Sequence, residues 1–273
     1  MDYKRLILPG ILFTLTVLTT SLFGGVAYSF SLILILLCHE MGHYLTARYY
    51  GVPASLPYFI PSPLPPFGTF GAMIKMGARI PDRKALFDIG IMGPAMGLII
   101  AIPATVVGIA LSEVTEIPQT DSSSINLRLG DSIMFSLIAQ WIHGPLLENR
   151  DLLLHPIGFA GWAGLLVTAL NLLPMGQLDG GHIVYALFPR KSSFVYWFVF
   201  LALVCLAIVV EYPTWLFFPV LVYLLTRLRH PPTLQDEQTV GKKRVFFGIL
   251  AIIFLILSFP PVPIMISSPP NLP

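Results

Sequence analysis

Residues 31–43 read Ser-Leu-Ile-Leu-Ile-Leu-Leu-Cys-His-Glu-Met-Gly-His, an apolar run that ends in two histidines and a glutamate. The apolar part is typical of membrane interior, where ionisable residues are costly and usually functional. On a helix, His39 and His43 lie four residues apart on one face, so they can bind one metal ion together. Glu40 then lies to one side, where it can accept a proton from an attacking water. The plainer alternative is a buried polar cluster that holds helices together.

The composition of the whole chain supports a membrane setting. The chain has 273 residues, of which 55% are hydrophobic and 11% are charged, and its mean hydropathy is +0.79. Because a soluble domain carries about 25% charged residues, we predict an integral membrane protein in a lipid bilayer. The net charge of +2 is too small to indicate a nucleic-acid partner. Cys38 and Cys205 each lie in an apolar segment, which favours core packing over a disulfide framework.

Apolar windows of about 20 residues predict about six or seven transmembrane helices. No small-residue cleavage site follows the first window, so we expect a retained span rather than a signal peptide. The fifth and sixth windows meet in a tight turn at residues 211–213, and Pro219 makes the sixth irregular. The predicted fold class is an all-α polytopic membrane protein, with one membrane-embedded domain over residues 1–273. The predicted spans are 6–24, 27–47, 86–111, 157–188, 193–210, 213–227 and 245–262.

The basic residues predict how the chain is oriented. With the N-terminus in the cytoplasm, only Arg128 and Arg150 of the 16 lysines and arginines fall on the outer side. This distribution follows the positive-inside rule. It places the histidine pair near the cytoplasmic end of its span, since His43 lies five residues before Arg48. The predicted location is the cell membrane of a prokaryote, with the active site toward the cytoplasmic side.

Two connections between the spans are predicted to carry structure of their own. Residues 52–82 hold six prolines between Pro53 and Pro66 and then an apolar stretch, 69–76, that can form an extended strand at the membrane edge. An irregular connector is equally compatible with this stretch. In the outer loop, roughly 112–156, residues 131–142 have the pattern of an amphipathic helix along the surface. We expect Phe135 to lie off its apolar face, which comprises Ile133, Met134, Leu137, Ile138, Trp141 and Ile142.

The fourth predicted span offers a third metal ligand. A catalytic zinc needs three protein ligands and one open position. Residues 171–182 read Asn-Leu-Leu-Pro-Met-Gly-Gln-Leu-Asp-Gly-Gly-His, and Asp179 lies eleven residues before Arg190, at a depth similar to that of the histidine pair. Pro174 and the neighbouring glycines would interrupt the helix. Broken backbone at membrane depth is expected around a cavity, so this segment is a candidate for the other half of a metal site.

Other roles are open for the polar residues of this segment. Asp179 could cap a helix or pair with a basic side chain, although no lysine or arginine lies at matching depth in a neighbouring span. His182 could replace Asp179 as a ligand, but a carboxylate usually completes a hydrolytic site with two histidines. Asn171 could donate to the oxyanion of a tetrahedral intermediate, or it could bridge two helices.

Together the two motifs resemble those of the site-2 protease family of intramembrane zinc metalloproteases. That family pairs H-E-x-x-H with N-x-x-P-x-x-x-x-D-G, which match residues 39–43 and 171–180 here. Gly93-Pro94 also resembles a Gly-Pro element of the family. The resemblance covers the second to fourth spans, within a catalytic core of about 27–190. The C-terminal spans, about 193–262, are variable in such proteins.

The resemblance implies specific roles for the motif residues. It implies one Zn²⁺ per chain, with His39, His43 and Asp179 as metal ligands. Glu40 would be the catalytic carboxylate, and Asn171 a catalytic residue that stabilises the oxyanion or positions substrate. The strand-like region 68–80 is similar in place to a membrane-edge β element that receives substrate in the family.

The predicted function is therefore hydrolysis of peptide bonds in or near the transmembrane segments of membrane-protein substrates. Two rival functions could use the same residues. One is a zinc-dependent hydrolase that acts on lipid, and the other is a metal transporter or sensor. A transporter usually spreads ionisable residues along a path through the membrane, whereas here they are confined to its inner third.

Overall fold

The structure, a computed structural model, describes residues 4–77, 79–116, 126–145 and 150–267. The described part is mostly helical, as predicted, with three small two-stranded sheets. Its helices are α1 (Lys4–Tyr49), α2 (Arg83–Ala110), α3 (Ile133–His143), α4 (Pro156–Leu172), α5 (Asp179–Leu187), α6 (Ser192–Val209), α7 (Phe217–Thr226) and α8 (Lys242–Ser258). Its strands are β1 (Tyr58–Pro61), β2 (Thr69–Met73), β3 (Glu113–Glu116), β4 (Asn126–Leu129), β5 (Arg150–Leu153) and β6 (Ile264–Ser267).

Three helices in the described part are long and apolar enough to cross a membrane. They are the stretch Leu6–Tyr49 of α1, the whole of α2 and the whole of α6. The helices α3, α4 and α7 are apolar but shorter. α7 has 10 residues, or about 15 Å of helix, which is half of a bilayer's hydrocarbon thickness. The described part thus has three candidate membrane spans, and the predicted count of six or seven is not confirmed.

α1 contains both of the first two predicted spans, because the chain reverses direction within it. Gly25 has φ 79° and ψ 175°, which interrupts the helix. The hydroxyl of Ser29 lies 3.3 Å from the carbonyl oxygen of Val17 and 2.7 Å from the hydroxyl of Thr20. A straight helix would separate residues 17 and 29 by about 18 Å. The two halves of α1 therefore pack side by side, as two separate spans would.

α2 is the central helix of the fold, and α1, α4 and α5 all pack against it. Glycines make these contacts close. A Cβ atom on Gly42 would lie 2.3 Å from the carbonyl oxygen of Met92, and one on Gly108 would lie 2.0 Å from the backbone nitrogen of Gly158. Small residues allow helix backbones to approach each other in this way. The ligand-bearing segments are thus packed directly on one helix.

The predicted strand in region 69–76 is confirmed for residues 69–73. β2 pairs with β1 in an antiparallel hairpin, with Tyr58 opposite Met73. The proline-rich stretch therefore supplies the partner strand, which the sequence did not predict because proline is unfavourable within sheets. The hairpin is fixed to α1, since the hydroxyl of Tyr28 donates to the carbonyl oxygen of Phe67 at 3.0 Å.

α3 confirms the predicted helix in the outer loop, and Phe135 lies off the predicted apolar face, packed against the protein. Phe135 and Ala139 are 5% and 7% exposed, whereas Ile133, Leu137 and Trp141 are 51%, 57% and 78% exposed. The remaining predicted members, at positions 134, 138 and 142, are partly buried. Phe135 thus lies at the centre of the packed side. α3 carries apolar residues on both sides, so hydropathy alone could not show which side meets the protein.

Candidate metal centre

The histidine pair lies on the second half of α1, where it faces α2. His39 and His43 are buried, and their Nε2 atoms are 3.1 Å apart. The Nδ1 atom of His43 lies 2.8 Å from the carbonyl oxygen of Ile89, so Nδ1–H donates to that carbonyl. The hydrogen bond leaves Nε2 unprotonated in the neutral ring and turned toward His39. Such a bond from the second nitrogen is the usual way in which proteins orient a metal-binding histidine.

Asp179 reaches the same place from a helix that begins with it. α4 ends at Leu172 and α5 starts at Asp179, so the predicted fourth span is interrupted, as the sequence indicated. The break is folded tightly, because a Cβ atom on Gly180 would lie 1.9 Å from the carbonyl oxygen of Leu172. The Oδ2 atom of Asp179 lies 3.2 Å from Nε2 of His39, and its Oδ1 atom lies 3.3 Å from Nε2 of His43.

These three side chains fit a metal ion. One ligand atom from each of His39, His43 and Asp179 lies within 4.8 Å of the others. The Oδ2 atom of Asp179 is buried and accepts no hydrogen bond from the described residues. A buried carboxylate oxygen needs a partner, and a divalent cation between the three groups would provide it. Two imidazoles and one carboxylate are the donor set of hydrolytic zinc sites, so the residues present fit zinc.

Glu40 lies beside the three ligands without joining them. Its side chain is 6% exposed, and it follows His39 directly on α1. The backbone N–H of Ile74, one residue after β2, lies against the Glu40 carboxylate. The end of the β hairpin is therefore brought to the glutamate of the motif, a contact that the sequence could not show.

Asn171 also lies at the centre. Its Nδ2 atom is 3.3 Å from Nε2 of His39, although the two residues are 132 positions apart in the sequence. This contact places the amide group among the ligand atoms, near the last turn of α4. The contact places the amide at the site and also joins α4 to α1, so both readings that the sequence left open stay compatible with the geometry.

His182 is near the centre but is not one of the clustered ligands. Its Nδ1 atom lies 2.6 Å from Nε2 of His230, in the segment between α7 and α8. The interpretation that His182 replaces Asp179 therefore finds no support in the geometry. Sequence reasoning did not identify His230, because it lies in a polar connection with no motif and no helical periodicity.

Comparison with known proteins agrees with the two motifs. The sequence profile of peptidase family M50 matches residues 27–210, which include all three candidate ligands. The chain belongs to peptidase family M50, the site-2 protease family. No solved structure matches it.

Plant proteins are among the relatives of this M50 chain. It is 32% identical over 232 residues to the probable zinc metalloprotease EGY1, chloroplastic, of Arabidopsis thaliana, which is 84% of this chain and 41% of that protein. It is 31% identical over 235 residues to the protein of the same name from Oryza sativa subsp. japonica, which is 85% of this chain and 40% of that protein. The chain thus spans about two fifths of the length of the curated relatives it matches. Because these relatives are chloroplastic, they lend no support to a prokaryotic location.

Proposed function

We propose that this M50 chain is an intramembrane zinc metalloprotease that hydrolyses peptide bonds in or near transmembrane segments of membrane-protein substrates. The convergence of His39, His43 and Asp179 from two separate helices carries the proposal. Catalytic centres of this kind keep one position open for water and substrate, and three protein ligands leave that position free.

The chain's own residues supply the remaining steps of the reaction. Zinc bound at this site would act as a Lewis acid toward water and toward the scissile carbonyl. Glu40 would accept a proton from the attacking water and deliver it to the departing amine. The Nδ2–H group of Asn171 would donate to the oxygen on which negative charge develops. Two observations support these assignments: Glu40 follows His39 directly on α1, and the Nδ2 atom of Asn171 lies 3.3 Å from Nε2 of His39.

The β hairpin gives a place for the substrate. A transmembrane helix hides its carbonyl groups in its own hydrogen bonds, so it must unwind before it can be cut. An extended substrate could pair with the edge of β2 and recover the lost hydrogen bonds. The position of Ile74 supports this proposal. Its N–H, one residue after β2, lies against the Glu40 carboxylate, so a substrate strand paired along β2 would extend to that carboxylate.

We also propose that the metal centre faces the cytoplasmic side of a bilayer, with the N-terminus on that side. The charge distribution supports this arrangement: Arg48 and Arg244 lie at one end of the helix bundle, and Arg128 and Arg150 lie with the small sheets that follow α2. A cell membrane of a prokaryote stays a prediction.

Replacement of the motif glutamate tests the proposed function. The full chain would be reconstituted in vesicles with a single-span reporter protein, as wild type and as Glu40→Gln. We expect Glu40→Gln to retain zinc and to lose cleavage by about 10²–10⁴-fold, because the general base is removed and the ligands are not. Glu113→Gln, at an exposed residue of β3 outside the site, is the matched control and should cleave normally.

The same vesicles separate the proposed protease from its rivals. Reporter cleavage at the wild-type rate by Glu40→Gln would contradict the proposed mechanism. Release of fatty acids or lipid headgroups, with the reporter intact, would indicate a lipid hydrolase instead. Uptake of zinc into vesicles without cleavage would indicate a transporter.

A further inference from the structure

The connection between α7 and α8 contacts α5, which begins with Asp179, and the residues that precede α2. We call residues 229–241 the strap. Its backbone is joined to the start of α2, because the N–H of Leu234 donates to the carbonyl oxygen of Ile80 at 3.0 Å and Gln235 pairs with Asp82. The strap lies beyond both the predicted catalytic core and the residues that match the family profile.

The first contact between the strap and α5 is made by two histidines, His230 and His182. The Nδ1 atom of His230 lies 2.6 Å from the carbonyl oxygen of Pro231, so this nitrogen carries a proton and donates it. In the neutral ring, Nε2 of His230 is then an acceptor. The Nδ1 atom of His182 lies 2.6 Å from that Nε2 and must be the donor. His182 is three residues after Asp179, so the bond joins the strap to the first turn of α5.

A second contact holds the same face of α5. The ring of Tyr185 stacks on the ring of His230 with centroids 4.4 Å apart. The hydroxyl of Tyr185 donates to Oδ2 of Asp236 at 2.5 Å, and the N–H of Thr233 donates to Oδ1 of Asp236 at 3.0 Å. Burial acts to raise the pKa of Asp236, but the hydrogen bonds from Thr233 and Tyr185 outweigh it and hold the pKa below its ordinary value. The carboxylate is therefore charged and remains an acceptor.

α5 is a short helix, and these contacts add to its packing against α2. It has nine residues, fewer than the roughly 12 that an isolated helix needs to be even marginally stable in water. Leu178, which precedes it, provides no side-chain cap. The far end of the strap is also fixed, because Arg244 in the first turn of α8 forms two hydrogen bonds to Asp88 of α2, at 2.8 and 2.6 Å. The strap therefore joins α5 to the helix on which the histidine pair packs.

We propose that the strap fixes the Asp179 carboxylate at metal-binding distance from the two imidazoles, with His230 as its positioning residue. The inference rests on the metal centre of the proposed function and not on its substrate. On this proposal the strap, which follows the residues that match the family profile, is part of the metal-binding unit.

Zinc affinity tests this inference separately from proteolysis. The full chain would be purified in Glu40→Gln form, and zinc affinity would be measured by competition with a chelator at a temperature at which each variant is folded. We expect His230→Ala to bind zinc about tenfold more weakly, as for the loss of other groups that orient metal ligands. His230→Gln should restore most of the affinity, because its amide oxygen can accept the hydrogen bond from His182 at the place of the ring nitrogen.

Two further variants separate positioning from general stability. His143→Ala removes a histidine on the outer side that also bonds to a backbone carbonyl, that of Ile109 at 2.8 Å, and should leave zinc affinity unchanged. Tyr185→Phe keeps the ring stack and removes the bond to Asp236, so it should fold and bind zinc more weakly than the parent. Parental zinc affinity in His230→Ala, or in Tyr185→Phe if His230→Ala does not fold, would overturn the proposal. Absence of zinc from the parent chain would instead overturn the proposed function.

Discussion

Gly93→Ala should damage the metal centre although Gly93 is not one of its ligands. Gly93 lies on α2, where that helix crosses the histidine pair. A Cβ atom at Gly93 would lie 2.0 Å from Nε2 of His43, the atom that faces the metal, while ordinary contacts begin at 3.4 Å. The imidazole would therefore have to move by about 1.4 Å. Separation of α1 from α2 would not avoid the damage, because it would break the 2.8 Å contact from His43 Nδ1 to the carbonyl of Ile89.

The displacement is large compared with what a zinc site tolerates. Ligand distances in such sites lie within about 0.2 Å of their ideal values, so a movement of about 1.4 Å removes His43 as a ligand. Gly97→Ala provides a matched control one turn further along α2. Its Cβ atom would lie 3.2 Å from His39, which asks for a movement of only about 0.2 Å. We expect Gly93→Ala to weaken zinc binding by at least 100-fold and Gly97→Ala to weaken it by less than about threefold.

The assay is zinc affinity by chelator competition, together with cleavage of a single-span reporter. Circular dichroism of each variant would establish that the helices are intact. Gly10→Ala, where nothing lies within 4 Å of the added atom, is the control for a neutral glycine replacement. If Gly93→Ala bound one zinc per chain with wild-type affinity, the packing of α2 on His43 would not be what positions the ligand, and the reasoning would fail.

Three further variants probe other parts of the chain. Asn171→Leu should retain zinc but cleave the reporter about 10²–10³-fold more slowly, because a donor to the oxyanion is lost; zinc content and turnover measured on one preparation check this. Gly25→Ala should lower the free energy of unfolding by about 1–3 kcal/mol in a denaturant titration, because φ 79° with ψ 175° is open only to glycine. Arg244→Ala should lower it by a similar amount, since the partly buried Asp88 loses two charged hydrogen bonds, and Arg244→Lys should restore only part of the loss.

The sequence predicted the cluster of candidate ligands because each half of the site is local. His39 and His43 are brought together by helix geometry alone, and the Pro-Gly content after Asn171 indicated the break that places Asp179 at the start of α5. The reversal at Gly25 was also predictable, since two apolar windows flank it. What the sequence could not show is the distance between the halves. That distance depends on backbone contacts at glycines such as Gly42, whose effect appears only when the helices are packed.

Elements without periodicity were missed or misread. β1 was not predicted, since Pro61 and the prolines around the strand obscured it, and only the register with β2 makes it visible. The sequence could not show which side of α3 packs on the protein, because apolar residues on both sides of a helix can face either protein or lipid. The strap carries no motif and no helical or strand periodicity, so nothing in the sequence pointed to its contacts. Its contacts pair His230 and Asp236 with side chains 48 and 51 positions away, and no local pattern encodes contacts at that range.

The position of Asp179 is thus a property of tertiary packing rather than of its motif. The aspartate stands at the first position of a nine-residue helix, and a rotation of that helix would swing the carboxylate away from both imidazoles. Contacts of α5 through His182 and Tyr185 oppose such a rotation, and they come from a segment after the residues that match the family. A chain with both motifs but without such a strap must fix its aspartate through other contacts. The motifs therefore identify the candidate ligands, and the proposal adds the strap, or an equivalent segment, as what holds the aspartate at metal-binding distance.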